Sequence, residues 1–193
     1  MFINVLAFAV AYALTQGIKG SNLFRTVFFM PNLIGGIVLG YIWSMIFDGI
    51  LIKYNTSVIL ETKYGFWGLV ILVCWQQIGY MMIIYIAGLQ AIPTDLYEAA
   101  KIDGASAVRS FFSVTLPLLI PSLTINVTQA IIGGFRVFEQ VLTLTDGGPG
   151  HQSTVVSMMV YEYFGRGFYG KSTAISMMLS VIVLFVTLAV RGY

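Results

Sequence analysis

Long uncharged apolar stretches, separated by polar connections, set the pattern of this chain. A helix needs about twenty mostly apolar residues to cross the hydrocarbon core of a bilayer, because no lipid-facing backbone group can go unpaired. Residues 27–47, 66–89, 114–135 and 173–190 qualify, and none of the four holds a charged residue. The last stretch ends at Arg191, whose long side chain is suited to snorkel to the headgroups. Trp43, Trp67 and Tyr41 fall near predicted span ends, where amphipathic rings favour the interface. Residues 1–15 form a fifth apolar stretch that is too short to cross alone. Ala11-Tyr12-Ala13 mimics a signal-peptide cleavage site, but no Lys or Arg precedes the apolar run. The preferred reading is the inner half of a span that begins upstream, with the chain truncated at its N-terminus or begun at a downstream Met.

The pattern predicts an all-α, polytopic membrane protein with a single transmembrane domain over residues 1–193. Its connections are 48–65, 90–113 and 136–172, each long enough for a short helix or turn. Pro117 and Pro121 are expected to bend the 114–135 span near its start. Gly36 and Gly40 make a small-xxx-small pair, read as a packing surface.

Composition sharpens the picture by exclusion. Apolar residues make up 58% and charged residues 9%, against roughly 25% charged in soluble domains. A mean hydropathy of +0.88 makes lipid the expected solvent. The net charge of +2 lacks the concentrated basic face that a nucleic-acid binder needs. A single cysteine, Cys74, leaves no internal disulfide, and a single histidine, His151, leaves no multi-histidine metal site. With 16–26 and 90–113 placed inside, five Lys or Arg residues lie on each side, so charge does not orient the chain.

The most informative connection is 92–106. Asp95 and Glu98 have capping-box spacing, which opens a helix. Pro93 stops the incoming span just before it. Gly104 suits the left-handed position that closes a helix, and Ser106 suits the cap of a second helix. Leu96, Ala99 and Ala100 share one face of the short helix, with Asp103 adjoining. So short a helix is marginal alone and wants a docking partner. A plain interhelical loop is the competing reading.

At these residues the chain resembles a known family. Glu98-Ala99-Ala100, then Asp103-Gly104-Ala105, Phe111 and Leu116-Pro117, is similar to the EAA loop of bacterial ABC importer permeases. Residues 24–31 (FRTVFFMP), 88–93 (GLQAIP), 115–119 (TLPLL) and 141–149 (VLTLTDGGP) resemble, in order, the sugar-importer branch. Together they resemble the MalF-like (UgpA-like) permease subunits, over essentially the whole chain. The resemblance implies a type I ABC importer transmembrane domain, with about five of six helices present and the N-terminal part missing. It implies that Tyr97, Glu98, Ala99, Ala100, Asp103, Gly104 and Ala105 form a cytoplasmic coupling helix seated on an ATPase subunit. It also implies a MalG-like second permease, two ABC ATPase subunits, and an extracytoplasmic solute-binding protein delivering a sugar or polyol. ATP and Mg would sit on the partner ATPase, with no cofactor on this chain. With the Glu98 loop inside, residues 48–65 and 136–172 face outward.

Two local patterns mislead. Gly165-Arg166-Gly167-Phe168-Tyr169-Gly170-Lys171-Ser172 matches the P-loop pattern, which works only between a buried strand and a soluble helix. Here an aromatic helical stretch precedes it and a span follows, so it reads as a Gly-rich turn capped by Ser172. His151 has no catalytic neighbour at motif spacing, and the carboxylates fall in connections rather than spans. No catalytic and no metal-ligating residue is assigned.

Uncharged polar residues in spans are expected to face protein or water. Ser122, Asn126, Gln129 and Gly133 recur at helical spacing, and Gln76, Gly79, Tyr80 and Ile83 form a second face with Gln77 beside it. Amides, hydroxyls and an aromatic ring suit a sugar, so Gln76, Gln77, Tyr80, Asn126, Gln129, Gly133 and Gly134 are the candidate substrate path. Interhelical glue is the competing reading, favoured for Asn126. In the maltose permease the stretch matching residues 133–138 is rich in Asn and contacts sugar; here it reads Gly-Gly-Phe-Arg-Val-Phe. Absence of in-span charge favours a neutral substrate. An ATPase-independent channel or secondary transporter is the alternative function. A membrane-embedded enzyme would want a buried acid, His pair or nucleophile, which the spans lack.

Overall fold

The computed structural model describes residues 2–148 and 151–191, without the side chain of Arg191. The expected snorkelling of Arg191, and Pro149 at the end of the Gly-Gly-Pro motif, lie outside the described residues. All regular elements among the described residues are helical. They are α1 (Phe2–Thr15), α2 (Ser21–Leu33), α3 (Gly36–Leu51), α4 (Thr62–Gln90), α5 (Thr94–Ile102), α6 (Ala107–Ser110), α7 (Leu116–Leu118), α8 (Ile120–Arg136), α9 (Glu139–Leu144), α10 (Val156–Gly165) and α11 (Tyr169–Arg191). A 3-10 turn, Ile52–Tyr54, extends α3, and a π-helical turn, Phe111–Thr115, joins α6 to α7.

By length and composition, Gly36–Tyr54, Thr62–Gln90 and Tyr169–Val190 are each able to cross a membrane. Ala107–Leu118 and Ile120–Arg136 qualify only as a pair, bent by 62°. The bend falls where Pro117 and Pro121 each lack a donor, and Leu119 between them leaves ideal helix geometry (φ −88°, ψ −8°). Residues 27–47, expected as one span, are instead two helices broken at Ile34–Gly35. Pro31 withholds a helical N–H two residues before α2 ends, and Gly35 adopts an extended conformation before α3 begins.

The chain forms two compact units. One holds the residues up to Asn32 together with Gln77–Gln129. In lipid, apolar burial gains little, so helices associate through small residues and hydrogen bonds. Accordingly Ala7 and Ala11 are fully buried. A Cβ at Gly79 would overlap the carbonyl of Phe28, and one at Gly88 would overlap the hydroxyl of Ser122. The Tyr85 hydroxyl donates to Asn4 Oδ1 at 2.9 Å, and Asn126 Nδ2 donates to the Met81 carbonyl at 3.1 Å, all inside the unit.

The other unit holds Leu33–Gln76 and the residues from Ala130 on. Its core is Leu39, Val58, Leu72 and Leu144, wrapped by Trp43, Phe47 and Trp75. Trp43 meets Trp75 edge-on at 5.4 Å and packs against this core. Gly36 and Gly40 do form a packing surface: they receive α9, with Glu139 over Gly36 and Thr143 over Gly40. Asp48 accepts from the Val58 amide at 3.0 Å and ties the connection after α3 back to its helix.

Candidate functional site

The 92–106 connection folds as a bounded helix. Pro93, extended at φ −60° and ψ 136°, is the last residue before α5, which puts Asp95 in the first turn. No side-chain cap forms, so the expected Asp95–Glu98 capping box is absent. Glu98 lies too far into the helix to reach back, while Asp95 still complements the positive end of the helix. At the other end Gly104 adopts φ +72°. Its amide bonds the Lys101 carbonyl at 3.1 Å, and the Ala105 amide bonds the Ala100 carbonyl at 2.9 Å. This double closure is a Schellman motif, and it needs a left-handed residue. Ser106 then caps α6 through its hydroxyl, which accepts from the Arg109 amide at 3.3 Å.

The face of α5 carrying Leu96, Ala99 and Ala100 opens onto a groove of about 390 Å³, completed by Asp103, Ala105, Arg109, Ser110, Ser113 and Val114. Glu98, Ala99 and Asp103 are exposed, and Ala100 and Ala105 are half-buried. Tyr97 points the other way. Its hydroxyl lies 3.1 Å from the Thr115 hydroxyl, and Thr115 is buried in the π-turn. Sequence reasoning missed Thr115 because a π-turn has no composition signature. The only hint was Pro117 two residues on.

The candidate path residues are distributed unevenly. Asn126 is fully buried and spends its amide on Met81, which is a packing role. Gln77 is half-buried, and Tyr80 and Gln129 are exposed in the same unit. In the other unit Gly133 is half-buried, Gly134 is exposed, and Gln76 is buried. Gln76 Oε1 accepts from Gln140 Nε2 at 2.8 Å. Gln140 belongs to α9, inside the stretch expected as an outer connection. Within that stretch α9 lies along α3 and buries Val141 and Leu144 in the unit core. The weak signal for α9 was the apolar pair Val141 and Leu144 at helical spacing within a polar stretch.

The P-loop look-alike is a helix corner. Gly165 ends α10, Gly167 turns it at φ +81°, and α11 begins at Tyr169. Ser172 does not cap this turn; it is buried in α11 and donates to the Val160 carbonyl at 2.8 Å. Lys171 lies over the ring of Phe168, 5.2 Å from its centroid. Among the described residues no strand precedes the corner, so it lacks the strand-to-helix setting of a phosphate-cradling loop.

The family described as "Binding-protein-dependent transport system inner membrane component" matches residues 3–192. The chain belongs to this family, and it is an inner-membrane protein of the permease type. It is 39% identical over 194 residues to the "Probable starch degradation products transport system permease protein AmyD" of Thermoanaerobacterium thermosulfurigenes, covering 96% of this chain and 65% of that protein. It is 36% identical over 195 residues to the "Trehalose/maltose transport system permease protein MalF" of Thermococcus litoralis, covering 96% of this chain and 66% of that one. The chain thus spans just under two thirds of the length of these relatives. Its fold is also that of a solved bacterial ABC transporter involved in the import of the acidic polysaccharide alginate, with a TM-score of 0.79 at 20% identity, covering 97% of this chain and 70% of that one.

Proposed function

We propose that the chain is the transmembrane permease subunit of an ATP-driven ABC importer, forming half of the translocation path for a sugar, oligosaccharide or related polyol. An extracytoplasmic solute-binding protein delivers the solute. A MalG-like second permease completes the path. Two ABC ATPase subunits bind and hydrolyse ATP with Mg, so the chain's own role is transport rather than catalysis. Relatives named for starch degradation products and for trehalose and maltose support the carbohydrate class.

The observation that carries the reading is α5. It is a short helix closed firmly at Gly104, with an exposed Glu98 and a small-residue face over an open groove. Nothing in the apolar packing of its unit accounts for such a handle, and Ala99 and Ala100 let another surface approach closely. Closure of the ATPase dimer moves α5, and the spans alternate between inward-open and outward-open states around a weak site. A solute shifts that balance only through its differential affinity for the two states.

The test is co-expression of the full-length protein with its partner subunits, followed by sugar-stimulated ATPase and uptake assays. Glu98→Lys is expected to abolish uptake while leaving membrane insertion intact. Gly104→Pro is expected to do the same, because proline is fixed near φ −65° and cannot take the left-handed position. Wild-type uptake in either variant removes the coupling role. Uptake in proteoliposomes lacking the ATPase would favour a channel or secondary transporter instead.

A further inference from the structure

Within the stretch expected as a connection, a carboxylate lies level with the middle of the apolar helix α4. Gln76 is the central residue of α4: fourteen residues precede it, from Thr62 to Trp75, and fourteen follow it, from Gln77 to Gln90. Gln140 is hydrogen-bonded to Gln76, which fixes the depth of the start of α9. Its neighbour Glu139 is the first residue of α9, and its carboxylate lies over Gly36, the first residue of α3. Gly35 before it provides no side-chain cap, so the first amides of α3 lack intrahelical partners.

The backbone is broken at the same place. Helix α8 ends at Arg136 and α9 starts at Glu139. The carbonyl of Val137, freed by the break, accepts from the Ser157 hydroxyl at 2.7 Å. Non-helical backbone at membrane depth is tolerated only where it is buried in protein or lines an aqueous cavity. Glu139 itself is exposed and takes part in no ion pair among the described residues. Arg136, also exposed, stands on the other side of the break and is likewise unpaired there with any acid. An exposed charge at mid-span cannot face lipid without a steep energetic cost.

We propose that Glu139 lines the translocation path and accepts hydrogen bonds from the hydroxyls of a neutral polyhydroxylated solute, with the Gln76–Gln140 hydrogen bond anchoring the start of its helix. This rests on the reading of the chain as an importer permease and narrows the solute of that path. A carboxylate takes up to four hydrogen bonds and donates none, so it matches vicinal hydroxyls. It opposes a carboxylate or phosphate on the solute.

The test has two arms, both on the full-length permease assembled with its partner subunits in nanodiscs or proteoliposomes. The first needs no sugar. In a Cys74→Ser background, Glu139→Cys is exposed to a membrane-impermeant cationic methanethiosulfonate and, separately, to lipid-soluble N-phenylmaleimide. Modification by the impermeant reagent is expected. Reaction with the maleimide alone, or with neither reagent, overturns the placement in the path. The second arm measures uptake of maltotriose, and of digalacturonate as an acidic probe. Glu139→Gln is expected to lower maltotriose uptake at least tenfold, with Glu139→Asp partly restoring it. Unchanged maltotriose uptake in Glu139→Gln overturns the role in recognition. If the wild type carries digalacturonate and not maltotriose, the neutral-solute proposal is overturned. If the wild type carries neither while the first arm succeeds, the sugar reading fails and the aqueous path stands.

Discussion

Glycines that look alike in the sequence differ sharply in what surrounds them. Gly79 lies in α4 against the backbone of α2, where a Cβ would collide with the Phe28 carbonyl. Gly134 lies in α8 with nothing within 4 Å of the place an added methyl would occupy. Gly79→Ala therefore forces two backbones apart and is expected to cost about 1–3 kcal/mol, as overpacking does. Gly134→Ala is expected to be neutral or slightly stabilising, because alanine favours helix. Thermal unfolding of the detergent-solubilised protein distinguishes them: equal midpoints for the two variants would contradict the close α2–α4 approach. The functional residues were legible to different degrees. Gly104 and Ser106 could be read because one supplies a backbone conformation and the other a cap, and both requirements are local. The Asp95–Glu98 spacing misled because Pro93 begins the helix earlier than the acid. Gln76 could be singled out as a costly polar residue in a span, but its partner Gln140 could not, since that pairing is set by tertiary packing.

Among the elements, the π-turn Phe111–Thr115 connects the proposed handle to the spans. Tyr97 on α5 reaches the buried Thr115 hydroxyl, and the 62° bend before α8 begins a few residues later. Single π-turns inside α-helices are frequent at functional sites. A hydrogen bond of this type contributes about 1 kcal/mol net, roughly a fivefold change in an equilibrium. Tyr97→Phe and Thr115→Val are each expected to lower solute moved per ATP hydrolysed several-fold, with the complex still assembled. Thr115→Ser, which keeps the hydroxyl, is expected to retain wild-type coupling. The double variant Tyr97→Phe with Thr115→Val should be no worse than either single one, since both remove the same contact. Strictly additive losses would show that the two residues act separately. The sequence revealed the flanking prolines and hence the bend. It concealed the break at Ile34–Gly35, because Pro31, Asn32 and Gly35 lie inside an uncharged run long enough to read as one span. It concealed α9 for the opposite reason, since Glu139, Gln140 and Thr143 give a packed helix the composition of a loop.

For the whole molecule, orientation follows from one assignment. If α5 is cytoplasmic, α4 crosses once over 29 residues and begins at the outer surface. The connection after α3 is then outside, and so is the α10–α11 corner with Lys171 against its aromatic rings. Placing Arg136 beside the mid-depth break removes it from the outer connections. Lys19, Arg25, Lys101, Arg109 and Arg191 then stand inside against Lys53, Lys63, Arg166 and Lys171 outside, five against four. That margin agrees in sign with the positive-inside bias but is too small to set orientation by itself. Accessibility from each side decides it. In a Cys74→Ser background, Ser57→Cys and Gly170→Cys are expected to react with an impermeant maleimide added to intact cells. Lys101→Cys should react only after the membrane is permeabilised. Labelling of Lys101→Cys in intact cells would place α5 on the wrong side for any ATP-driven motor, and the proposed coupling would fall with it. Labelling of all three from outside would show that α4 does not cross at all, against its length and its mean hydropathy of 1.9.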